Sequence, residues 1–398
     1  KIRLSSVFPW LVVIVIFFRP HPPFLGNVMS TYFGDVLLFL LIAASFIYRK
    51  TISNLEAFAL LGAFLIAFSS FLVITFSGSY NLLPEVVKIV FYGFSVAFVV
   101  NCRLFESISS ELALSVIVLG LFLVALVQYY NVPWFGEVVR LIWGEAKLRS
   151  AESTDPRVYS SLFNANWFGV VVAGLALLIV DHFFITKRIL LSSILFSACM
   201  LMIMLSGSRT ALIAFLVSFA FIVIVRMRSL GNLALILCML VLVLVVGVYI
   251  NKSYEVSNRF LDASESLAQN DVSDIRSLGD RFSSWEKGLE IIEINPMLGD
   301  GSLLDGFVVH NSYIYVFAGF GIPLGCAMLL LMFFIFFVAS KSYTSNASKG
   351  VVFISALPLA IASFAGEFLV STQVFLSYLV IVCLSSNISR DRHRPELN

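Results

Sequence analysis

Long apolar runs follow one another along nearly the whole chain, and shorter polar segments separate them. Most runs are roughly 17 to 20 residues long, enough for an α-helix to cross about 30 Å of hydrocarbon. The pattern predicts about twelve membrane-spanning helices, near residues 5–18, 33–48, 56–76, 84–100, 112–130, 163–180, 189–206, 211–225, 232–250, 322–340, 351–366 and 371–386. The first run is short for a span, so eleven is the alternative number. The sequence therefore predicts an all-α polytopic membrane protein with a single membrane domain over residues 1–398.

The composition supports the same class. Hydrophobic residues make up 60% of the chain and charged residues 13%, with a mean hydropathy of +0.97, which argues against any soluble class. The five cysteines show no CxxC or Cys/His spacing, so neither a zinc site nor a disulfide framework is predicted. The sequence also lacks a P-loop, a GxGxxG motif and the alternation of basic and aromatic residues that is typical of nucleic-acid binding.

The basic residues indicate how the chain is oriented. Cytoplasmic loops retain Lys and Arg during membrane insertion, so the side rich in these residues is predicted to be cytoplasmic. That side contains both chain termini and the residues Lys1, Arg3, Arg49, Lys50, Arg103, Lys187, Arg188, Arg226, Arg228, Lys341, Lys349, Arg390, Arg392 and Arg394. Two long polar segments, 131–162 and 251–311, then face outward, and the second lies between predicted spans 9 and 10. Segments of this length between helices are usually functional or disordered.

The second outward segment contains a predicted amphipathic helix in RFSSWEKGLEIIEINP. Its apolar residues recur at helical spacing, at Phe282, Trp285, Leu289 and Ile292. We expect this helix to lie at the membrane surface, with Asp280 at its N-cap and its end before Asn295-Pro296. The glycines of MLGDGSLLDG predict a flexible turn that leads to His310.

Two arginines are the strongest candidates for binding an anion. Arg209 lies in LMIMLSGSRTALIAFLV, where few residues separate two apolar runs, and a charge this close to hydrocarbon is costly unless it is paired or used. Arg281 lies early in the predicted surface helix. Either guanidinium could clamp a phosphate or diphosphate group. The alternatives are an Arg209 that reaches lipid phosphate and an Arg281 that is a solvated surface charge.

His310 lies where a polar segment gives way to an apolar helix, in FVVHNSYIYVFAGFGIP. A histidine with its ordinary pKa of about 6.5 can accept a proton from a hydroxyl near neutral pH. The alternative is a capping or hydrogen-bonded interfacial histidine. No second histidine or carboxylate stands at ligand spacing, so no metal site is predicted here.

Other polar residues near the outward face are weaker candidates. Glu85 and Lys88, three residues apart, are predicted to pair, with a proton relay as the alternative. Glu367 is predicted to be exposed in the loop between the last two spans. Asn164 and Asn166 are candidates for helix capping or for lining a cavity.

Three motifs occur in a defined order: SGSRTALIAF, an Arg that opens RFSSWEKGLEIIEINPMLGDG, and HNSYIYVFAGFGIPLG. Together they resemble the O-antigen ligase and polymerase superfamily of bacterial envelope glycan assembly. The resemblance covers roughly residues 155–340, with RVYSSLFNANWFG as a looser match upstream. One departure follows Gly321-Ile322-Pro323, where many relatives have Gly directly and this chain has Leu324 before Gly325. The departure concerns the local helix packing and leaves His310 in place.

The resemblance implies a GT-C-like glycosyltransferase of the bacterial inner membrane with a periplasmic active site. The donor would be a glycan on undecaprenyl diphosphate, with no metal, nucleotide or other cofactor. Carried over by motif, Arg209 and Arg281 would hold the donor diphosphate, and His310 would act as general base on the acceptor hydroxyl. The remaining residues expected to bind substrate are Arg276, Asn311, Arg157, Arg149 and Arg140.

Polymerase and ligase share this donor chemistry, so the motifs do not separate them. A polymerase joins the glycan to another lipid-linked repeat unit, whereas a ligase transfers it to the lipid A core. The compact segment between Arg281 and His310 and the roomy loop at 131–162 favour a polymerase, for which a chain-length regulator is a candidate partner. A flippase or transporter is the more distant alternative, and it would predict charges near mid-membrane and repeat symmetry, neither of which is evident.

Overall fold

A computed structural model describes residues 4–19, 36–37, 40, 53–101, 109–130, 132–143, 157–162, 164–186, 189–226, 241, 276–304, 309–343 and 349–391. Within these ranges the chain forms helices and contains no β-strand. The α-helices are α1 (Leu4–Val13), α2 (Asn54–Ser77), α3 (Leu83–Asn101), α4 (Ser110–Tyr130), α5 (Pro133–Trp143), α6 (Ala165–Thr186), α7 (Ile189–Ser206), α8 (Arg209–Arg226), α9 (Arg276–Ile294), α10 (Ser312–Tyr343), α11 (Lys349–Ala362) and α12 (Thr372–Asp391). The predicted spans at 33–48 and 232–250 lie largely outside the described residues.

Three of the described helices are long and apolar enough to cross a membrane: α2, α4 and the Ser312–Ser340 part of α10. Shorter apolar stretches lie in α1 with its following π-turn, α6, α7, α8 and α12. The all-helical class predicted from the sequence is thus confirmed for the described residues.

Helix α6 occupies the middle of the bundle, where it packs against α7, α8, α11 and α12. Its residues 170–173 are fully buried, as expected for a helix that is apolar on every side. Gly174 allows α12 to approach closely, because a Cβ there would lie 2.8 Å from the ring of Tyr378. The Tyr378 hydroxyl donates to the carbonyl of Val170 at 2.6 Å, so a polar group also holds this contact.

Helix α10 is broken at Gly321, whose φ of 76° and ψ of 168° are not helical. In an unbroken helix the Ile322 N–H would donate to the carbonyl of Ala318. Here the Ile322 N–H donates to the carbonyl of Pro296 at 2.8 Å, and Ala318 accepts from the Asp300 N–H at 2.8 Å. The turn that follows α9 therefore satisfies the two backbone groups that the break releases, and it joins α9 to α10.

The turn at 295–304 is packed, so the prediction of a flexible turn is wrong for these residues. Gly299 has a φ of 67°, and a Cβ there would lie 2.5 Å from the Gly321 nitrogen. Gly301 is buried against Leu82, and its carbonyl accepts from the Asn81 side chain at 2.8 Å. Gly299 and Gly301 allow neighbouring segments to pack closely, and a sequence alone does not distinguish this role of glycine from flexibility.

The start of α9 also differs from the prediction. The helix begins at Arg276, so Asp280 lies in its second turn and the predicted N-cap is wrong. The end of α9 at Ile294, before Asn295-Pro296, is confirmed.

Downstream of the α10 break, Gly325 makes room for Phe317, whose ring a Cβ would approach to 2.5 Å. Leu324, the point at which the sequence departs from the family pattern, therefore directly precedes a glycine that packs closely against Phe317.

Replacement of Gly321 tests this arrangement. Gly321→Ala should lower the free energy of unfolding by about 1–3 kcal/mol or more, because its backbone conformation is almost exclusive to glycine. The new Cβ would also lie 2.3 Å from the carbonyl oxygen of Met297. Gly62→Ala is the matched control, since a Cβ there meets only Leu331 at 3.6 Å. Equal Tm values for the two purified variants would contradict this account of the break.

Candidate active site

Arg209 is the first residue of α8 and follows a tight turn from α7. Gly207 in this turn has a φ of 59°, and the Ser208 hydroxyl accepts from the Ala211 N–H at 3.3 Å as a helix N-cap. Gly169 of α6 allows the turn to lie close, because a Cβ there would be 2.8 Å from the Cβ of Ala211. The SGSR sequence therefore places Arg209 at the end of the bundle, at the positive end of a helix dipole.

Arg281 lies beside this helix start. Its Nη1 donates to the Thr210 hydroxyl at 3.2 Å, which holds the second turn of α9 against the residue that follows Arg209. Burial and then the neighbouring positive charge of Arg209 lower the pKa of the Arg281 guanidinium from its ordinary value. A guanidinium remains protonated at neutral pH, so two cations face one another across this contact. A bound anion would relieve their repulsion.

His310 is held through its backbone while its side chain is partly exposed. Its N–H donates to the Ser284 hydroxyl at 3.3 Å, and its carbonyl accepts from the Trp285 indole N–H at 3.0 Å. Burial and then Arg281 lower the pKa of His310 below 6.5, whereas the Asp280 carboxylate acts in the opposite direction. The lowered pKa favours the neutral imidazole, the form that can accept a proton.

Asn311 caps the helix that follows His310. Its side-chain oxygen accepts from the N–H groups of Tyr313 at 3.0 Å and Ile314 at 3.1 Å, and the residue is only 5% exposed. This is the contact of a helix N-cap. The carboxamide oxygen of Asn311 is engaged in that cap, which sets the direction in which His310 leaves α10.

The first turn of α10 is anchored to the segment between α11 and α12. The Ser312 hydroxyl donates to the carbonyl of Gly366 at 2.8 Å and accepts from the Leu369 N–H at 3.2 Å. Glu367, the residue directly after Gly366, is half-buried, so its predicted loop exposure is wrong. Burial and then Glu85 raise the pKa of Glu367 to about 7, while Lys88 lowers it.

The predicted pair of Glu85 and Lys88 is confirmed, with an N–O distance of 2.6 Å. The segment between α11 and α12 also reaches the helix that carries this pair. The Tyr92 hydroxyl of α3 donates to the carbonyl of Val370 at 3.2 Å. Helix α3 and the start of α10 therefore share one anchoring segment.

Arg157 lies next to the Arg209 turn. Its Nε donates to the carbonyl of Ser206 at 2.9 Å and its Nη2 to the Asn166 side chain at 2.6 Å. Asn164 in turn accepts from the Asn166 N–H at 2.7 Å, which confirms the capping role considered for Asn164. Arg157 thus braces the end of α7 from which Arg209 follows.

The other predicted substrate-binding arginines are not brought to this site by the described contacts. Arg140 forms an exposed ion pair with Glu137 at 2.8 Å on α5, which packs on α4. Arg276 is the first residue of α9, and its side chain lies outside what the structure describes. Arg149 lies outside the described residues altogether.

Three residues make contacts at this site that the sequence analysis does not predict, namely Thr210, Ser284 and Trp285. Ser284 and Trp285 stand three and four residues after Arg281, so they share its helix face. That spacing is a signal available in the sequence. The bond from Arg281 to Thr210 joins residues 71 apart and has no such signal.

Comparison with known families agrees with this geometry. Residues 191–329, which are 139 of the 398 residues, match the family model described as O-antigen ligase. The matched stretch runs from α7 into α10 and contains Arg209, Arg281 and His310. No curated protein matches the chain significantly. The resemblance stated from the three motifs is confirmed for this stretch, and the apolar helices together with this match indicate a membrane protein with a region similar to the O-antigen ligase family.

Proposed function

We propose that this protein is a surface polysaccharide polymerase. It transfers a glycan from undecaprenyl diphosphate to a sugar hydroxyl of another lipid-linked repeat unit. Members of the matched family are glycosyltransferase-like enzymes of the ligase and polymerase type, which supports the reaction class. The donor, the acceptor and the choice of polymerase are the finer steps of the proposal.

One observation carries the proposal, namely that two guanidinium groups and an imidazole lie near one another. Arg281 contacts Thr210 beside Arg209, and the charge of Arg281 acts on His310. The residues come from three separate parts of the chain, and all lie within the matched stretch. An anion-binding pair beside a proton acceptor is what transfer from a diphosphate requires.

The transfer is a substitution at the anomeric carbon of the donor. The acceptor oxygen forms a bond to this carbon as the bond from the carbon to the diphosphate oxygen breaks. The hydroxyl proton passes to His310, and the leaving diphosphate retains the electron pair of the broken bond. Arg209 and Arg281 stabilise the negative charge that develops on the diphosphate.

Two guanidinium groups supply the positive charge that a metal ion supplies in many other phosphate-handling enzymes, so we propose a metal-independent reaction. Arginine suits this task because its planar fork can bind two phosphate oxygens at once. Binding of a diphosphate would also account for Arg281 and Arg209 being held near each other despite their repulsion.

The proposed setting is the bacterial inner membrane, with a GT-C-like architecture of about twelve spans in a single membrane domain. Both termini would be cytoplasmic, and the segments 131–162 and 251–311 would face the periplasm. This orientation follows from the distribution of Lys and Arg. It would put His310 where the diphosphate of the lipid-linked donor and the sugar rings of the acceptor can meet.

The closest competing function is that of an O-antigen ligase, which transfers the glycan to the lipid A core. The short connection from Arg281 to His310 and the extended segment 131–162 favour the polymerase. A chain-length regulator would then be a partner. A flippase is a third possibility that a chemical assay separates, because a transporter leaves its substrate unchanged.

A reconstituted assay tests the proposal. Protein in lipid receives only a lipid-linked repeat unit, and glycan length is followed on gels. A polymerase yields a ladder and free undecaprenyl diphosphate, and His310→Ala should slow this at least about 100-fold, since general-base catalysis contributes 10²–10⁴-fold. Lys287→Ala, an exposed change on α9, is the control for folding and insertion. Product only after addition of lipid A core would make the protein a ligase, and normal turnover by His310→Ala would refute the base assignment.

The pH profile of the same assay tests the surroundings of His310. The base must be neutral, so activity should be retained above its pKa and lost as the pH falls through a value below 6.5. Asp280→Asn removes a charge that raises this pKa, so the acidic limb should move to lower pH. Arg281→Gln removes a charge that lowers it, so the limb should move to higher pH whatever the loss of rate. Identical limbs in all three proteins would show that His310 does not govern the profile.

A further inference from the structure

One face of α9 lines an open groove of about 620 Å³. The groove is lined by residues that recur along this single face, namely Phe282, Trp285, Glu286, Leu289, Glu290 and Glu293. A different face of α9 is turned to α10, since Ser284 and Ile291 are buried and a Cβ on Gly288 would lie 2.5 Å from Ile314. The groove is thus separate from the surface that packs α9 into the protein.

The end of the groove nearest the start of α9 is aromatic. The rings of Phe282 and Trp285 lie 5.4 Å apart at an interplanar angle of 81°. Phe282 is 51% exposed and Leu289 is 49% exposed. With Phe282 half exposed, this aromatic pair offers an apolar surface to a ligand.

The rest of the groove is acidic. Glu286, Glu290 and Glu293 stand at helical spacing on the same face as the aromatic pair. Within the described ranges, no hydrogen bond or ion pair occupies any of these three carboxylates. They are therefore available as acceptors for the donors of a ligand.

This combination suits a carbohydrate. A pyranose presents an apolar C–H surface that packs on an aromatic ring, and its hydroxyls donate to carboxylates in charge-assisted hydrogen bonds. The groove volume is within the range of small-ligand sites, about 300–1,000 Å³. The three carboxylates repel phosphate, so the groove does not suit a diphosphate, which the Arg209 and Arg281 side favours instead.

The groove is coupled to His310 by one hydrogen bond. The Trp285 indole N–H donates to the His310 carbonyl at 3.0 Å, so the aromatic end of the groove lies directly beside the candidate base. A sugar stacked there has its hydroxyls next to His310. In the transfer reaction, the acceptor is the substrate that brings a hydroxyl to this position.

We propose that the groove on α9 binds the sugar rings of the acceptor glycan, with Phe282 and Trp285 as the stacking surface and Glu286, Glu290 and Glu293 as hydroxyl acceptors. This inference rests on the proposed transferase function and deepens it. It divides the substrates between two parts of α9: the diphosphate of the donor binds at Arg281, and the sugar rings of the acceptor bind in the groove.

The inference predicts that a glycan binds without any donor. The probe is the repeat-unit oligosaccharide released from the surface polysaccharide of the source cell, free of lipid and diphosphate. It is titrated into the full-length protein in nanodiscs, and binding is followed by saturation-transfer NMR and calorimetry. Phe282→Ala and the double variant Glu286→Gln, Glu290→Gln should each weaken binding about tenfold or more. Lys287→Ala, on the same helix but outside the groove lining, should bind normally.

Turnover separates this inference from the proposed function. His310→Ala should bind the oligosaccharide like the native protein yet fail to transfer, and Phe282→Ala should raise KM for the acceptor with little change in kcat. Glycan transfer with unchanged oligosaccharide affinity and unchanged acceptor KM in both groove variants would overturn the groove and leave the transferase intact. A change of oligomeric state in Phe282→Ala with unchanged glycan affinity would also overturn it, because the groove would then be a contact between copies of the chain.

Discussion

The exchange of backbone hydrogen bonds at Gly321 is the constraint on which the rest of the site depends. It links the end of α9 to the middle of α10 through Pro296 and Asp300, so the two helices cannot shift independently. The second link is at the other end of the pair, where Ser284 and Trp285 hold the backbone of His310. With both ends of the pair fixed, Arg281 is directed at the start of α8 and His310 stands beside it. A loop position by itself would not hold the candidate base His310 this precisely.

The electrostatics of the site follow from this placement. Arg281 and Arg209 repel one another, and burial together with the positive charge of Arg281 lowers the pKa of His310. A bound diphosphate would offset the first effect and supply the leaving group that the reaction needs. Helix α9 then presents a cation at Arg281 and carboxylates in the groove, which would sort the diphosphate of the donor from the sugar rings of the acceptor. Placing both on one helix would bring the two substrates to His310 together.

Apolar periodicity predicted most described helices well, because a helix that meets only apolar surroundings carries its signal in every residue. The motif order predicted the three candidate residues that come together. The predictions that the structure contradicts concern single residues and turns. The N-cap at Asp280, the flexibility of the glycine turn and the exposure of Glu367 were all inferred from local sequence, whereas the structure decides them by contacts between distant segments. Asn311 is the intermediate case, since a side chain that caps a helix and one that binds a substrate look alike in a single sequence.

The most direct test of the central claim is the affinity for undecaprenyl diphosphate without any glycan. It can be measured by native mass spectrometry and ³¹P NMR on the purified protein and on Arg209→Gln, Arg281→Gln and the control Lys287→Gln. The account predicts about a tenfold or greater loss for each arginine variant, since a hydrogen bond to a charged group contributes about 1.5–3 kcal/mol, and no loss for the control. Native affinity in both arginine variants would contradict it, because the diphosphate would then bind elsewhere and the geometry around His310 would have no donor to act on.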